Sequence, residues 1–336
     1  MPVRLSVAMT THNSERYLEP MLESIARQTR VPDELVVRDD ASRDSTVAML
    51  ESFAERAPFP VRVEADEVRR GHAYGFLRAA SLCSGEVVAY CDADDVWLER
   101  KLETCERSLA ATAAPLVLHS VRVVDAGLRQ IAADWPEIGA TRLVPPLGYT
   151  GLYLDAPGMA MAFQRELLEL ADWSQRPPSK YDGGVPMMHD EYTVFMAGAV
   201  GPIQLLSEPL ALYRQHESNY AGWFERPRGR SLVPALDDYR MAKHHTESCA
   251  RFLETAAAAG GPRADRLAEA ARHYRRAAAN WDGRLRLYGS RDRRTRARAF
   301  GRLVGARAYG SRVSGGLGLE SLCKDAVAGV ALRRPR

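Results

Sequence analysis

Glu86-Val87-Val88-Ala89-Tyr90-Cys91-Asp92-Ala93-Asp94-Asp95-Val96-Trp97 is the stretch whose reading decides the fold. An apolar run of strand-forming residues stops at three carboxylates, and Trp97 and an amphipathic helix spaced on Leu98, Leu102, Cys105 and Leu109 are expected to follow at once. The acids then stand at the carboxyl end of a strand, where open α/β sheets hold their ligands. Carboxylates this close repel one another unless a cation lies among them, and Mg²⁺ and Mn²⁺ take oxygen ligands. The residues therefore suit a divalent cation that also holds phosphate; they equally suit an Asp-rich turn that caps the next helix.

Upstream, the alternation of Leu5, Val7 and Met9 marks a strand from Val3 to Met9 that ends in the polar cluster Thr10-Thr11-His12-Asn13. Leu18, Met21, Leu22 and Ile25 have helical spacing, with Pro20 tolerated in the first turn. Glu34 to Arg38 reads as a buried strand ending at Asp39-Asp40-Ala41-Ser42, and Ser45 leads into a helix carrying Val47, Leu50 and Phe53. A strand at Val61 and Val63, then a helical stretch with Phe76, Leu77 and Ala80, completes the approach to Glu86. This alternation implies an α/β fold with parallel strands and helices on the faces. Two successive strands end in acids, so Asp39-Asp40 and Asp92 to Asp95 are expected along one edge of the sheet.

The 336 residues, 46% hydrophobic and 26% charged, exceed what one core usually fills and predict a catalytic domain with an appendage. A formal charge of +3 does not announce nucleic acid. Cys83, Cys91, Cys105, Cys249 and Cys323 are scattered without metal-ligand spacing, which suits a reducing cytoplasm better than a disulfide framework. The start runs straight into strand pattern without a signal-peptide character, and no apolar run reaches membrane-spanning length. A cytoplasmic protein is the expectation.

Taken together, Ser6 to Asn13, Asp39 to Thr46, Arg78 before Ser84-Gly85-Glu86, and Asp92 to Trp97 resemble the nucleotide-sugar half of family-2 inverting glycosyltransferases of the GT-A fold. Gly158 to Phe163, His189-Asp190-Glu191 and Glu208 to His216 extend the resemblance, in particular to bacterial rhamnosyltransferase-like members, over about Val3 to Asn219. The resemblance implies a GT-A nucleotide-sugar-binding mixed sheet, with a nucleotide-sugar half over 1–97 and an acceptor half over 98–225. It implies that Thr10, Thr11, Asn13, Asp39 and Asp40 hold base and ribose, that Arg78 brings a cation toward the nucleotide, and that Asp92 with Ala93 faces the ribose or the metal. Arg78 is also compatible with a solvated helix face. Asp94 and Asp95 compete for direct coordination of Mg²⁺ or Mn²⁺, and His216 approaches the diphosphate or metal or is a hydrogen-bonded loop histidine. Asp190 occupies the family's general-base position, and an acidic residue there also complements the helix that begins at His189.

Trp135 to Gly158 and Gln175 to Pro186 are rich in proline and glycine and read as long acceptor-side connections, the second able to act as a lid. From 226 to 336 the chain turns to Ala, Arg, Leu and Glu with helical spacing, broken at Gly260-Gly261-Pro262 and Tyr288-Gly289-Ser290, predicting a helical hairpin with an extension. Arginine is dense from Arg263 to Arg312 and returns from Arg333 to Arg336; solvated faces, anionic lipid or an anionic acceptor would each suit it, whereas nucleic acid lacks interleaved aromatics. Homo-oligomer formation stays open. The leading expectation is a metal-dependent transfer of a sugar from a dTDP- or UDP-sugar donor to an acceptor hydroxyl of a glycan or natural product. A sugar nucleotidyltransferase would want a glycine-rich basic loop where Thr10 to Asn13 stands, and a basic helical binding protein with a degenerate transferase domain would have lost the acidic cluster.

Overall fold

The computed structural model describes residues 3–147, 156–217, 219, 236–310 and 317–331. Its first third alternates as the sequence pattern requires: β1 (Leu5–Thr11), α1 (Glu15–Ala26), β2 (Glu34–Asp39), α2 (Thr46–Arg56), β3 (Val61–Ala65), α3 (His72–Leu82) and β4 (Val87–Asp92). The four strands are parallel in the order β3-β2-β1-β4. Every residue of β1 is buried, as a strand covered by helices on both faces must be. Register aligns the strand ends, with Thr11 beside Asp39 and Thr10 beside Asp92.

Beyond β4 the sheet becomes mixed. After β5 (Val96–Trp97) and α4 (Lys101–Thr112), it is continued by β6 (Leu116–Val124), β7 (Arg142–Val144), β8 (Met161–Gln164) and β9 (Ile203–Arg214), with α5 (His189–Val200) between β8 and β9. The order is β3-β2-β1-β4-β8-β6-β9-β5, with β7 also on β9; β8 runs antiparallel to both β4 and β6. One sheet therefore passes through the boundary expected near residue 97. A helix does not follow the acids at once. Val96 and Trp97 pair with Leu212 and Ala211, Leu98 N donates to Leu210 O at 3.1 Å, and α4 begins only at Lys101. The acids thus occupy a turn between two strands, a consequence of tertiary pairing with β9 that local spacing did not carry.

The remaining helices are α6 (Leu236–Ala258), α7 (Ala264–Gly289), α8 (Arg293–Gly305) and α9 (Leu319–Lys324), followed by a π-helical segment, Asp325–Ala331. The hairpin between α6 and α7 turns at Gly260 and Gly261, whose φ values of +82° and +100° suit glycine. The expected C-terminal helices pack on the sheet domain: Cys249, Leu253, Leu267 and Tyr274 bury in the same core as the sheet, and Tyr274 packs edge-on to Phe195 of α5 at 5.5 Å. The expected boundary at 225/226 lies outside the described residues. The lid expectation for the loop after Gln175 changes too: Ser179 N bonds to Val185 O and Met187 N to Pro177 O, both at 2.8 Å, while His245 of α6 holds Pro178 O at 2.8 Å. The segment is a hairpin strapped to α6.

A second, smaller core joins Tyr239, Leu287, Tyr288, Leu303, Tyr309 and Leu317. Its centre is Asp325, fully buried, which accepts from Arg284 Nε (2.7 Å) and Nη2 (2.9 Å), Tyr288 OH (2.8 Å) and Tyr309 OH (2.9 Å). Each oxygen is satisfied twice, and removing the carboxylate strands a buried guanidinium. Asp325→Ala is expected to lower stability by about 3–5 kcal/mol, the cost of breaking a buried pair, and Tyr309→Phe by about 1 kcal/mol, one hydrogen bond. Urea unfolding followed by circular dichroism measures both; equal midpoints for the Asp325 variant and the wild type would show that the network contributes nothing.

Candidate active site

At the ends of β1 and β2 the polar residues brace one another. Asp39 Oδ1 accepts from Thr11 Oγ1 (2.7 Å) and Ser42 Oγ (2.5 Å), and its Oδ2 from Ser42 N (2.8 Å). Asp40 receives Arg70 N at 2.5 Å and Gly71 N at 2.9 Å, and His12 Nδ1 lies 2.7 Å from Asp40 O. Thr10 Oγ1 donates to Arg38 O at 3.1 Å; a Cβ on Gly75 would approach that oxygen to 2.4 Å, so glycine lets α3 seat against β1. Asn13, at φ +49°, accepts Arg43 N on its Oδ1 at 2.9 Å and is exposed at the mouth. Asp39 and Asp40, expected as nucleotide contacts, are buried and direct their oxygens into this frame. Arg78 sits half-buried on α3 and pairs with no described carboxylate, so it is not joined to the acids.

The acidic turn is closed by β9. Arg214 N donates to Asp95 Oδ1 at 2.9 Å, its Nε to Asp94 O at 2.7 Å and its Nη1 to Ala126 O at 2.9 Å, while the guanidinium lies over the Tyr17 ring at 4.6 Å. Asp95 is fully buried, and its Oδ2 has no hydrogen-bond partner among the described residues. Asp95, expected to compete with Asp94 for the metal, thus anchors β9 through Oδ1. Asp94 faces outward, its side chain 30% exposed, with Oδ2 3.0 Å from His216 Nε2; the His216 ring packs on Tyr17 at 4.6 Å. Ala93 is buried beneath the turn and offers only backbone.

Below the acids lies a group the sequence reading passed over. Lys101, fully buried, donates to Met159 O and places its ammonium 3.9 Å from the Trp97 ring centroid. Burial lowers its pKa to about 8, while Cys105, Cys91, Asp95 and Asp92 act to keep it charged. Burial raises Asp95 well above the carboxylate range, with Asp94 and Asp92 adding repulsion.

The far wall is the start of α5. His189 stacks on Phe76 at 4.1 Å and meets Tyr90 and His72 edge-on at 4.9 and 5.2 Å. Neither ring nitrogen has a hydrogen-bond partner among the described residues, and burial holds the imidazole well below its usual range, so the ring is neutral. A Cβ on Gly158 would strike Nε2 at 2.2 Å, which is why that position must be glycine. The packed ring orients Asp190. Its Oδ1 accepts Glu191 N at 2.7 Å, while Met188 occupies the cap position, so Asp190 lies inside the first turn. Burial raises Asp190 to about 6. Asp92 is raised by burial, then by Asp94 and Asp190, which places the three carboxylates in one field, and His72 Nε2 stands 3.8 Å from Asp92 Oδ1. His72 carries no motif signal; only folding brings it here.

Residues 6–169 match the family described as Glycosyl transferase family 2. The chain carries a family 2 glycosyltransferase domain. An uncharacterized glycosyltransferase of Nostoc sp. is 26% identical over 65% of this chain and 66% of its own length. The protein Rv1520 of Mycobacterium tuberculosis is 27% identical over 63% of this chain and 59% of its own. The chain thus spans less than two-thirds of the curated relatives it matches. A UDP-Glc:α-D-GlcNAc-diphosphoundecaprenol β-1,3-glucosyltransferase, WfgD of Escherichia coli, is 30% identical over 30% of this chain and 38% of its own. Residues 1–349 of S. aureus TarS share the fold, with a TM-score of 0.55 at 16% identity, covering 97% of this chain and 92% of that one. Another crystal structure of the same TarS fragment holds UDP-GlcNAc, with a TM-score of 0.54 at 18% identity, covering 98% and 93%.

Asp94 Oδ2 and His216 Nε2 lie 3.0 Å apart beside the acidic turn. Among the described residues no group of three His, Cys, Asp or Glu side chains gathers to form a closed metal cage. The Asp94 carboxylate suits a Mg²⁺ or Mn²⁺ ion that completes its shell with phosphate oxygens and water, whereas an imidazole nitrogen is not a usual Mg²⁺ ligand. Asp94→Asn is expected to abolish Mn²⁺-dependent UDP binding at unchanged melting temperature. Asp95→Ala is expected to lower the melting temperature, because Arg214 N loses its acceptor. Calorimetric titration of UDP with and without Mn²⁺ distinguishes them; retention of the metal effect in the Asp94 variant would remove this carboxylate from the site.

Proposed function

We propose that the domain transfers a sugar, with inversion at the anomeric carbon, from a pyrimidine nucleoside diphosphate sugar to an acceptor hydroxyl of a glycan or natural product. The observation that carries this reading is Asp190, a carboxylate raised to about 6 at the cleft wall beside the acids Asp92 and Asp94. A base with that pKa is ionised at neutral pH yet basic enough to take a proton as an alkoxide forms. The TarS fragment's binding of UDP-GlcNAc and the uridine donor in WfgD's name favour a uridine nucleotide. The likeness to rhamnosyltransferases keeps a dTDP-sugar as the second choice. Free thiols at all five cysteines, four of them buried, support a reducing cytoplasm as the place of reaction.

In the reaction Asp190 accepts the hydroxyl proton of the acceptor while the acceptor oxygen bonds to the anomeric carbon and the bond from that carbon to the diphosphate breaks. A divalent cation held through Asp94 and His216 would neutralise the charge arriving on the departing diphosphate. His189, the neighbour of Asp190, is held among Phe76, Tyr90 and His72, and its Nε2 fills the space that a Cβ at Gly158 would need.

Because the folded pKa of Asp190 is raised, the base is protonated and inactive below about 6 and ionised above it. Transfer is therefore expected to rise with pH through about 6 and then level off. Asp190→Asn is expected to lose at least about a hundredfold in turnover, the low end of what a positioned base contributes, together with the acidic limb of the profile, while UDP affinity is kept. Nucleotide release in the presence of acceptor measures both. An unchanged pH limb in a variant of near wild-type rate would assign the proton to another group, and Glu191→Gln, whose native Oε1 is occupied by Lys180 N at 2.9 Å, serves as the neighbouring control.

A further inference from the structure

We infer that the outward face of α8 is a docking surface for an anionic lipid bilayer. Between positions 291 and 307 the chain carries seven arginines and a single carboxylate, Asp292. That carboxylate caps the helix, accepting Thr295 N at 2.8 Å and Arg294 N at 3.3 Å.

On the neighbouring helix α7 four arginines are neutralised within the fold. Arg266 pairs with Glu269 at 3.2 Å, Arg275 with Glu254 at 2.5 Å, Arg284 with Asp325 at 2.7 Å and Arg286 with Asp282 at 2.9 Å. On α8 the pattern changes. Arg293, Arg294 and Arg302 are exposed and form no ion pair with a described carboxylate, and Arg298 has only the exposed Asp292 nearby. A surface that merely needed solubility would intersperse both signs, as the rest of this region does.

The shape of the face narrows the partner. With 3.6 residues per turn, Arg293, Arg294, Arg298 and Arg302 spread over about half the circumference, opposite the buried Arg296, Ala299 and Leu303. The residues between them are Ala297, Gly301, Gly305 and Val304. A Cβ on Gly301 or Gly305 would meet nothing within 4 Å, so packing inside the chain does not require glycine there. Small residues leave a low-relief face above which only arginine side chains rise, a form that lies flat on a plane of phosphates. Val304, Leu319 and Val327, 46%, 73% and 57% exposed, add apolar side chains in the same small subdomain. No aromatic side chain stands on this face to stack a base, which disfavours single-stranded nucleic acid.

The test is sedimentation of the full chain with phosphatidylcholine vesicles that contain or lack phosphatidylglycerol. The chain is expected to pellet with the anionic vesicles alone and to be released by salt as the Debye length shortens. Each arginine near an anionic surface contributes about fivefold in partitioning, so Arg294→Gln, Arg298→Gln and Arg302→Gln combined should weaken it about a hundredfold at unchanged melting temperature. Arg240→Gln with Arg251→Gln, exposed on α6, should leave partitioning near wild type. The inference is overturned if wild type stays in the supernatant, pellets equally with neutral vesicles, or prefers a DNA duplex at the same salt. It is overturned as well if the α6 pair weakens partitioning as much as the α8 triple does. None of these outcomes depends on the identity of the donor or acceptor.

Discussion

The contact on which the rest of the molecule depends is the closure of β9 on the acidic turn. Arg214 binds the turn through two groups, its backbone N to Asp95 Oδ1 and its Nε to Asp94 O, while its Nη1 ties in Ala126 O after β6. Crowding Asp92, Asp94 and Asp95 into one short turn is unfavourable, and the fold offsets it with the buried ammonium of Lys101 from below and with Arg214 from the side. An acid buried with an orphan oxygen, as Asp95 is, is tolerated only where its surroundings leave it no other place. That arrangement leaves Asp94 facing outward with the largely buried His216 beside it, and it joins the parallel half of the sheet to the mixed half.

A second constraint governs the opposite end of the cleft. Residues that look like ligand contacts in a linear reading, Thr11, Asp39, Asp40 and Ser42, hydrogen-bond one another and the backbone of Arg70 and Gly71. They set the shape of the loops after β1 and β2, so that Asn13 is presented at the mouth in a left-handed conformation that asparagine tolerates better than most residues. Preorganisation of this kind lowers the ordering cost of binding.

The helices after residue 236 serve the site indirectly. α6 and α7 complete the core under α5, and His245 straps the 177–187 hairpin whose last residues lead directly to His189 and Asp190. The position of the proposed base thus depends on packing contributed by a part of the chain that lies outside the family match. The Asp325 network then fixes the small second core, from which α8 displays its arginines.

What the sequence determined by itself was whatever depends on local period and on short-range chemistry. Alternation of strand and helix patterns from Leu5 to Asp92 specified parallel strands, and β1, α1, β2, α2, β3, α3 and β4 stand where those patterns lie. The breaks at Gly260-Gly261 and after Tyr288 marked the later helices. Tertiary structure decided which of several adjacent acids faces outward, because that turns on pairing with β9 more than a hundred residues away: Trp97 aligns with Ala211, Asp95 is drawn in by Arg214, and Asp94 is left for His216. It also decided the roles of His72, Lys101 and His189, whose neighbours are remote in sequence and whose burial no periodicity encodes. The protonation of Asp190 belongs to the same class, since desolvation by the assembled wall, rather than residue type, raises it to about 6.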